Sequence, residues 1–471
     1  MNDTTLPFSA ANEQHSQFSL LRERRFWPLF VTQFLGAFND NAYKSALLAL
    51  FAFGAASWTS MKPAVMTNLA AGLFILPFFL FSATSGQLAD KFDKAWLARW
   101  VKALEILIIV IAALGFWLHS LAVLLVALFL LGLQSTLFGP TKYAILPQHL
   151  RANELIGGNA LVEAGTFVAI LLGTITGMQL TGACRVEPST FCQLSTFAGL
   201  EGGIVWIIAI CMLVALGGFF ASCRIPAAPA PAPDLKISWN PLAETLRVIG
   251  LARREKSVFQ SVLGISWFWA YGSLLLTQFP VYTKDVLGGD EDLLTVLLAV
   301  FSVGIGLGSL VCEKLTRRRG KTVEPGLVPI GALGMTIFGL DLALGTPAHA
   351  FGLELPLAEM LNRGEIWRVL VDLLLLGGFG GLYCVPLYAL IQQRSEPESR
   401  ARIIAANNVL NSLFMVLTAV GASLFLLWGG SSIPALFLGM AALHGIITVY
   451  IFSVVPEFII RALVWLGWRQ E

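Results

Sequence analysis

Asn39, Asp40 and Asn41, with Lys44 one helical turn beyond Asp40, interrupt an apolar run that extends from Phe26 to Ala56. A run of that length crosses a bilayer, whose roughly 30 Å hydrocarbon core takes about 20 helical residues. An ionisable side chain at that depth costs at least about 2.5 kcal/mol on insertion scales, so it is expected to face a cavity or a partner and not lipid. Asp40 and Lys44 stand i,i+4 on one helix face, where each partly neutralises the other. The pair is either a lock between packed spans or part of a site for an ion or a polar substrate. Everything around it must therefore be read for the elements that would position it.

The composition sets those elements in a membrane. Of 471 residues, 56% are hydrophobic and 13% charged, and the mean hydropathy is +0.74. Soluble proteins carry about 25% charged residues. Residues 1–21 are polar and lead into Arg22, Arg24 and Arg25, with no apolar core of a cleavable signal, so the first span is expected to act as an uncleaved anchor. The net charge of +2 says nothing by itself, and Cys211, Cys223, Cys312 and Cys384 fall in or beside apolar runs with no metal-ligand spacing; no metal, cofactor or nucleic-acid partner is expected. Cys184 and Cys192 share one loop and would pair if that loop faced an oxidising compartment.

Twelve apolar runs follow one another. The first six are 26–56, 64–89, 97–118, 121–139, 155–180 and 203–222. A polar stretch then carries the Pro-Ala repeat 226–233, an extended, semi-rigid linker by composition. Six more runs are 257–282, 293–312, 323–345, 367–392, 403–428 and 434–455. The reading is an all-α membrane protein: a cytoplasmic tail (1–25), a six-helix bundle (26–223), a cytoplasmic linker (224–256), a second six-helix bundle (257–456) and an interfacial tail (457–471) carrying Arg461, Trp465, Trp468 and Arg469. With both ends inside, the outside loops hold Lys62, Arg185, Lys284, Arg363 and Arg368. Most other basic residues fall inside, among them Arg253, Arg254, Lys314, Arg317, Arg318, Arg319 and Lys321. That asymmetry obeys the positive-inside rule. Two outside segments, 182–202 and 346–366, are long, and the second contains a stretch that would form a short amphipathic helix.

The halves are related. Gly132, Leu137, Tyr143, Ala144 and Gln148 match Gly377, Leu382, Tyr388, Ala389 and Gln393 at a constant offset of 245 residues. Related halves predict a binding site at their interface near the midplane, with access alternating as one half rocks against the other.

Gly86-x-x-x-Asp90-Lys91-x-x-Lys94, between the second and third runs, resembles the signature loop of the major facilitator superfamily; Asp93 stands where that pattern usually has Gly. Asp90 would cap a helix N-terminus or pair with a basic residue across the bundle, closing an inner gate with Lys91 and Lys94, and Gly86 would let two helices approach closely. A weaker echo, Glu313-Lys314-x-x-Arg317, follows the eighth run.

Three further stretches narrow the resemblance: Gln33-Phe-Leu-x-Ala-Phe-x-Asp40-Asn41-Ala, Pro140-Thr-Lys142-Tyr143-Ala-Ile-Leu and Asn159-x-Leu-x-Glu163-Ala. Together they look like the bacterial lysophospholipid transporter family of that superfamily. The resemblance implies movement of lysophospholipids, such as lysophosphatidylethanolamine, from the outer to the inner leaflet of the inner membrane, where an acyltransferase–acyl-carrier synthetase re-acylates them. The chain departs in having no Arg in the seventh run, where some relatives carry one.

Such a substrate needs a polar cradle for its headgroup and an apolar path for one acyl chain. Lys142 and Lys44 are the candidate phosphate ligands, with Lys142 preferred. Asp40 and Glu163 would meet an ammonium or neutralise those lysines. Asn39, Asn41 and Asn159 supply neutral donors and acceptors, and Tyr143 adjoins Lys142. Each has an alternative role as a structural ion pair or helix lock. Lys102 with Glu105 would satisfy each other at i,i+3, and Asp341 and Asp372 would pair or lie near the outer ends beside water.

Enzymatic and ATP-driven readings fail on the residues. Gly320-Lys321-Thr322 lacks the earlier Gly of a phosphate-cradling loop, since position 315 is Leu. None of His119, His149, His349 and His444 has the Asp five positions on that a glycerolipid acyltransferase uses. Two alternatives stay open: a proton-coupled antiporter of a small solute or drug using Asp40, and a non-transporting scaffold for an acyltransferase.

Overall fold

The computed structural model describes residues 16–53, 63–186, 202–317, 323–346, 355–428 and 432–468. Its described residues form twelve long helices. These are α1 (Trp27–Phe53), α2 (Pro63–Lys91), α3 (Lys94–Trp117), α4 (Leu121–His149), α5 (Leu155–Val186), α6 (Gly202–Ser222), α7 (Lys256–Val281), α8 (Glu291–Arg317), α9 (Leu327–Leu344), α10 (Gly364–Arg394), α11 (Arg400–Trp428) and α12 (Ile433–Val454). A linker helix (Pro241–Ala252) stands between α6 and α7, and a tail helix (Glu457–Leu466) follows α12. Eleven of these helices are long and apolar enough to cross a membrane. α1 has the length, 27 residues, but Gln33, Asn39, Asp40, Asn41 and Lys44 make it more polar than the rest.

The expected runs coincide with the helices, and the differences lie at their ends. Charged and polar residues add turns that hydropathy does not register, because their heads reach the interface while their stems stay helical. Thus α3 begins at Lys94, α10 at Gly364 and α11 at Arg400. The largest difference is α4, which runs past Gly139 through Pro140 and Pro147 to His149. Lys142 and Tyr143 consequently sit on a helix. Arg185 stands in the last turn of α5 and not in a loop; Cys192, and with it the proposed Cys184–Cys192 pairing, and the loop residues Lys62, Arg318, Arg319 and Lys321 lie outside the described residues.

The helices pack as two groups, α1–α6 and α7–α12. Within the first, α1 lies along α5 and α2 along α4; within the second, α8 and α9 both lie along α10. The sequence repeat reappears as packing. A Cβ on Gly132 of α4 would stand 2.3 Å from the Phe74 carbonyl oxygen of α2, and one on Gly377 of α10 would stand 2.5 Å from that of Phe301 in α8. Matching residues of the two halves thus make the same close backbone approach, which only glycine permits.

One end of the assembly carries the linker, the α2–α3 junction and the start of α11; we call it the linker face, and the opposite end the far face. There Arg25 forms a bidentate pair with Glu154 (2.6 and 2.7 Å) and donates to the His149 carbonyl (3.0 Å). Arg394 grips Glu457 at 2.9 and 2.5 Å, which pins the tail helix and holds the Glu457 carboxyl below the usual range. Toward the far face, Asp341 is held by Arg368, an ion pair that the sequence reading had not assigned.

Gly132→Ala and Gly377→Ala are each expected to lower stability by about 1–3 kcal/mol, the usual cost of overpacking. Gly72→Ala, with nothing within 4 Å of the new Cβ, should cost nothing. Thermal unfolding in detergent checks all three; equal effects at the three positions would contradict the packing account.

Candidate functional site

The polar stretch of α1 divides its side chains between two tasks. Asn39 is fully buried and donates to Glu105 of α3 at 2.7 Å. Glu105 also forms an ion pair with Lys102 and accepts from Gln134 of α4 at 3.0 Å. Both charged side chains are wholly buried, so a single carboxylate with donors from α1, α3 and α4 ties three helices together. Room for Lys102 comes from a neighbouring glycine: a Cβ on Gly36 would stand 2.8 Å from its Nζ. The expected Lys102–Glu105 partnership is therefore present, and Asn39 is committed to it.

Asp40, one residue on, points elsewhere. It accepts from Ser135 of α4, and its other carboxylate oxygen is buried without a hydrogen-bond partner. Lys44 donates to Asn41 Oδ1 (2.9 Å) and lies over the Phe74 ring, 5.3 Å from its centroid. Asn41 donates to the Ala37 carbonyl at 2.8 Å. Asp40 and Lys44 attract each other through space, as their i,i+4 spacing predicts, but no ion pair joins them among the described residues; Asp40 takes its hydrogen bond from α4, and Lys44 turns to Asn41 and the Phe74 ring of α2.

Lys142 and Tyr143 stand at the interface of the two bundles. The half-buried Lys142 ammonium lies 4.7 Å from the Tyr143 ring centroid and within electrostatic range of Glu163 and Asp40. No hydrogen bond or ion pair holds it among the described residues. Tyr143 donates to Glu163, whose second oxygen is buried without a partner. Its ring stacks on Tyr388 of α10, with centroids 4.4 Å apart and planes 8° from parallel. These two tyrosines are repeat mates, so the pseudo-twofold axis passes between them. Trp269 of α7 donates to the Tyr388 hydroxyl (3.1 Å) and stacks on Phe167 of α5 at 5.6 Å. Asn159 and Gln392 exchange amide hydrogen bonds of 2.7 and 3.0 Å, and Gln392 also donates to the Tyr143 carbonyl at 3.2 Å. Asn159, expected to be a ligand, thus bridges the bundles.

Nearer the linker face, Asp90 accepts from the backbone N–H groups of Ala401 (3.0 Å) and Arg402 (3.3 Å) and from Arg402 Nε (3.0 Å). Both roles anticipated for it are filled at once: it caps α11 and pairs with a cation of the opposite bundle. A Cβ on Gly86 would lie 2.6 Å from that of Ala405, the close approach anticipated there. Lys91 and Lys94 serve the linker instead: Lys91 Nζ donates to the Leu235 carbonyl (2.7 Å) and the Lys94 N–H to that of Ala228 (3.0 Å). Asp93, at the position that departs from the family pattern, caps α3 through Trp96 N (2.8 Å) and accepts from Ala228 N (2.9 Å).

These contacts close one end only. Ala401, Ala405 and Ala406 of α11 are fully buried, whereas toward the far face Val416, Leu417, Ala419, Val420, Gly421 and Ser423 are all exposed, over more of the helix circumference than a lipid-facing stripe would be. In α2 the linker-side Ser85, Gln87 and Asp90 are buried, while Leu69, Leu76 and Phe79 toward the far face are exposed. The bundles meet on the linker side and part toward the far face, with the Tyr143–Tyr388 stack as a floor and Asp40 and Lys142 in the first bundle.

Sequence reasoning did not name Ser135, Gln134, Phe167, Trp269, Gln392 or Arg402. Tyr388 was visible only as a repeat mate of Tyr143. The others are uncharged or lie at a helix end, and a single chain gives no signal that they meet.

Two six-helix bundles around a cleft closed at one end, with charged groups held inside, define a multi-pass membrane transporter rather than an enzyme. The chain belongs to the Major Facilitator Superfamily, whose sequence pattern matches residues 29–418. It is similar to proteins named lysophospholipid transporter LplT: 28% identical to that of Escherichia coli O6:K15:H31 (strain 536 / UPEC) over 89% of this chain and 92% of the relative, and 27% identical to that of Enterobacter sp. (strain 638) over 82% and 84%. In fold it resembles the human organic anion transporter MFSD10 (TM-score 0.67, 15% identity, 90% of this chain and 99% of that one) and the transporter FucP (TM-score 0.65, 14% identity, 90% and 97%).

Glu105→Ala strands a buried lysine and should cost about 3–5 kcal/mol, whereas Lys102→Met/Glu105→Leu, which removes both charges, should recover most of it. Unfolding midpoints of the two variants check this; a double variant no more stable than the single one would contradict it.

Proposed function

We propose that the chain moves lysophospholipids of the lysophosphatidylethanolamine type from the outer to the inner leaflet of a bacterial inner membrane, by alternating access, for re-acylation. The linker face would be cytoplasmic, with both chain ends on that side, and an acyltransferase–acyl-carrier synthetase would take the product. The names of the relatives support the substrate class.

The observation that carries the reading is the Lys142 ammonium, half-buried at the floor of the cleft and free of any hydrogen-bonded anion. A phosphate would complete its coordination, and Asp40, with one carboxylate oxygen unpartnered, would receive the ethanolamine ammonium. Glu163 and Tyr143 would hold Lys142 in place, while Asn159 would serve the closure between bundles. Lys44 and Asn41 would line the path above, and Asn39 would support α1 from behind. The acyl chain would follow the second bundle, whose α7 carries no charged residue between Trp267 and Tyr282. Asp90 and Gly86 would form the gate on the cytoplasmic side, with Lys91 and Lys94 fastening the linker beside it.

In proteoliposomes, the wild-type chain should transfer labelled lysophosphatidylethanolamine between leaflets. Lys142→Ala and Asp40→Ala, confirmed as folded by size-exclusion profile, should each reduce the rate about 10- to 100-fold, the worth of one charge-assisted hydrogen bond. Absence of transfer by the wild-type chain, with solute uptake that collapses with a proton gradient, would replace this reading with a proton antiporter at Asp40.

A further inference from the structure

The linker helix (Pro241–Ala252) has two apolar faces, and the protein covers only one. Glu244, Val248 and Ala252 are buried, and the helix packs on α2 and α11. On the other side, Leu242 and Leu246 share one face at i,i+4 and are 68% and 72% exposed, and Trp239, just before the helix, is 74% exposed. Large apolar side chains aligned on a solvent-facing stripe mark a contact surface.

The height of the helix says what meets it. Ser238, just before it, exchanges hydrogen bonds of 2.8 and 3.0 Å with the Gln87 side chain. Gln87 lies one turn inside the end of α2 at Lys91, about 6 Å along the axis. The helix ends at Ala252, and α7 enters the membrane from Lys256. The stripe therefore runs level with the ends of the spans, at the depth of lipid headgroups, beside the seam between α2 and α11. On the same face the tail helix exposes Ile460 and Leu466, and Trp468 is exposed just beyond its end.

Charge selects among surfaces. Arg247, Arg254 and Lys256 are exposed around the stripe. Of the acids nearby, Glu244 is buried and paired with Arg247 (3.6 Å), Glu255 caps α7 through Ser257 N (3.4 Å), and Asp234 is exposed two residues from the exposed Lys236. An apolar stripe flanked by cations fits an anionic bilayer surface, where the aliphatic groups enter the acyl boundary and the cations meet phosphates. We propose that the linker helix is a docking surface for anionic phospholipid in the leaflet on the linker face. Because the helix also packs on α2 and α11, which Asp90 locks together, the charge of that leaflet bears on the gate.

The test places an environment-sensitive fluorophore on Leu246→Cys in the full chain, with the signal of the native thiols measured on the unsubstituted chain and subtracted. The protein is reconstituted in phosphatidylcholine vesicles with and without phosphatidylglycerol, and nitroxide-labelled lipid serves as quencher. The expected result is quenching that rises severalfold when phosphatidylglycerol is present, with the rise lost in Arg254→Gln/Lys256→Gln. Both of those positions and Leu246 are exposed, so the fold should survive; size-exclusion profiles confirm it. A fluorophore in water in both vesicle types, quenching indifferent to phosphatidylglycerol, or a fluorophore shielded by a co-purified protein would each overturn the proposal.

Discussion

A single carboxylate at the end of α2 fastens the first bundle to the second. Asp90 receives two backbone N–H groups and the guanidinium of the first turn of α11, so it satisfies orphan donors at a helix start and a buried cation together. Breaking it would leave Arg402 without its carboxylate partner and the α11 N-terminus uncapped. The close approach of α2 and α11 at Gly86 and Ala405, the docking of the Pro-Ala linker and the burial of the Asn159–Gln392 pair all lie on the same side as this contact. Two bundles fastened at one end leave their cleft open at the other.

Within the first bundle, the membrane imposes a second constraint. Each buried charge needs partners, and they are drawn from other helices. Glu105 gathers Lys102, Asn39 and Gln134; Asp40 takes Ser135; Glu163 takes Tyr143. The first set is saturated around its carboxylate and reads as architecture. Asp40 and Glu163 each keep one unpartnered oxygen, and Lys142 keeps its ammonium over a ring. Unused capacity is not confined to these three groups: Lys94 Nζ at the linker face and Asn39 Oδ1 beside Glu105 are also buried without a partner. The second bundle contributes rings and amides to the same floor through Tyr388, Trp269 and Gln392, and no charge from α7.

Hydropathy made the twelve spans legible, and the 245-residue offset announced the repeat that later appeared as matching glycine contacts at Gly132 and Gly377. The Asp90 contact was legible for a different reason: a carboxylate at a span end has few ways to be satisfied, and both of those anticipated are used. The site was less so. Spacing along one helix pairs Asp40 with Lys44, but tertiary contacts to Ser135 and Phe74 outweigh a local pairing worth about 0.2–0.5 kcal/mol. Asn39 and Asn41 look equivalent in sequence, yet a rotation of two residues turns one into the bundle and leaves the other beside Lys44. Contacts between bundles, such as Tyr143 with Tyr388, join residues far apart in the chain, and nothing in local pattern predicts them.

The central claim of the proposed function is that the bundles rock about the site between them, opening the linker face as the far face closes, in response to substrate. Distances between spin-label pairs measure that directly, one pair at exposed linker-face positions, Arg151 and Glu396, and one at exposed far-face positions, Leu118 and Asp285. With lysophosphatidylethanolamine in the membrane, a population should appear in which the linker-face distance lengthens while the far-face distance shortens. Distances that stay fixed, or that change in the same direction at both faces, would contradict the account.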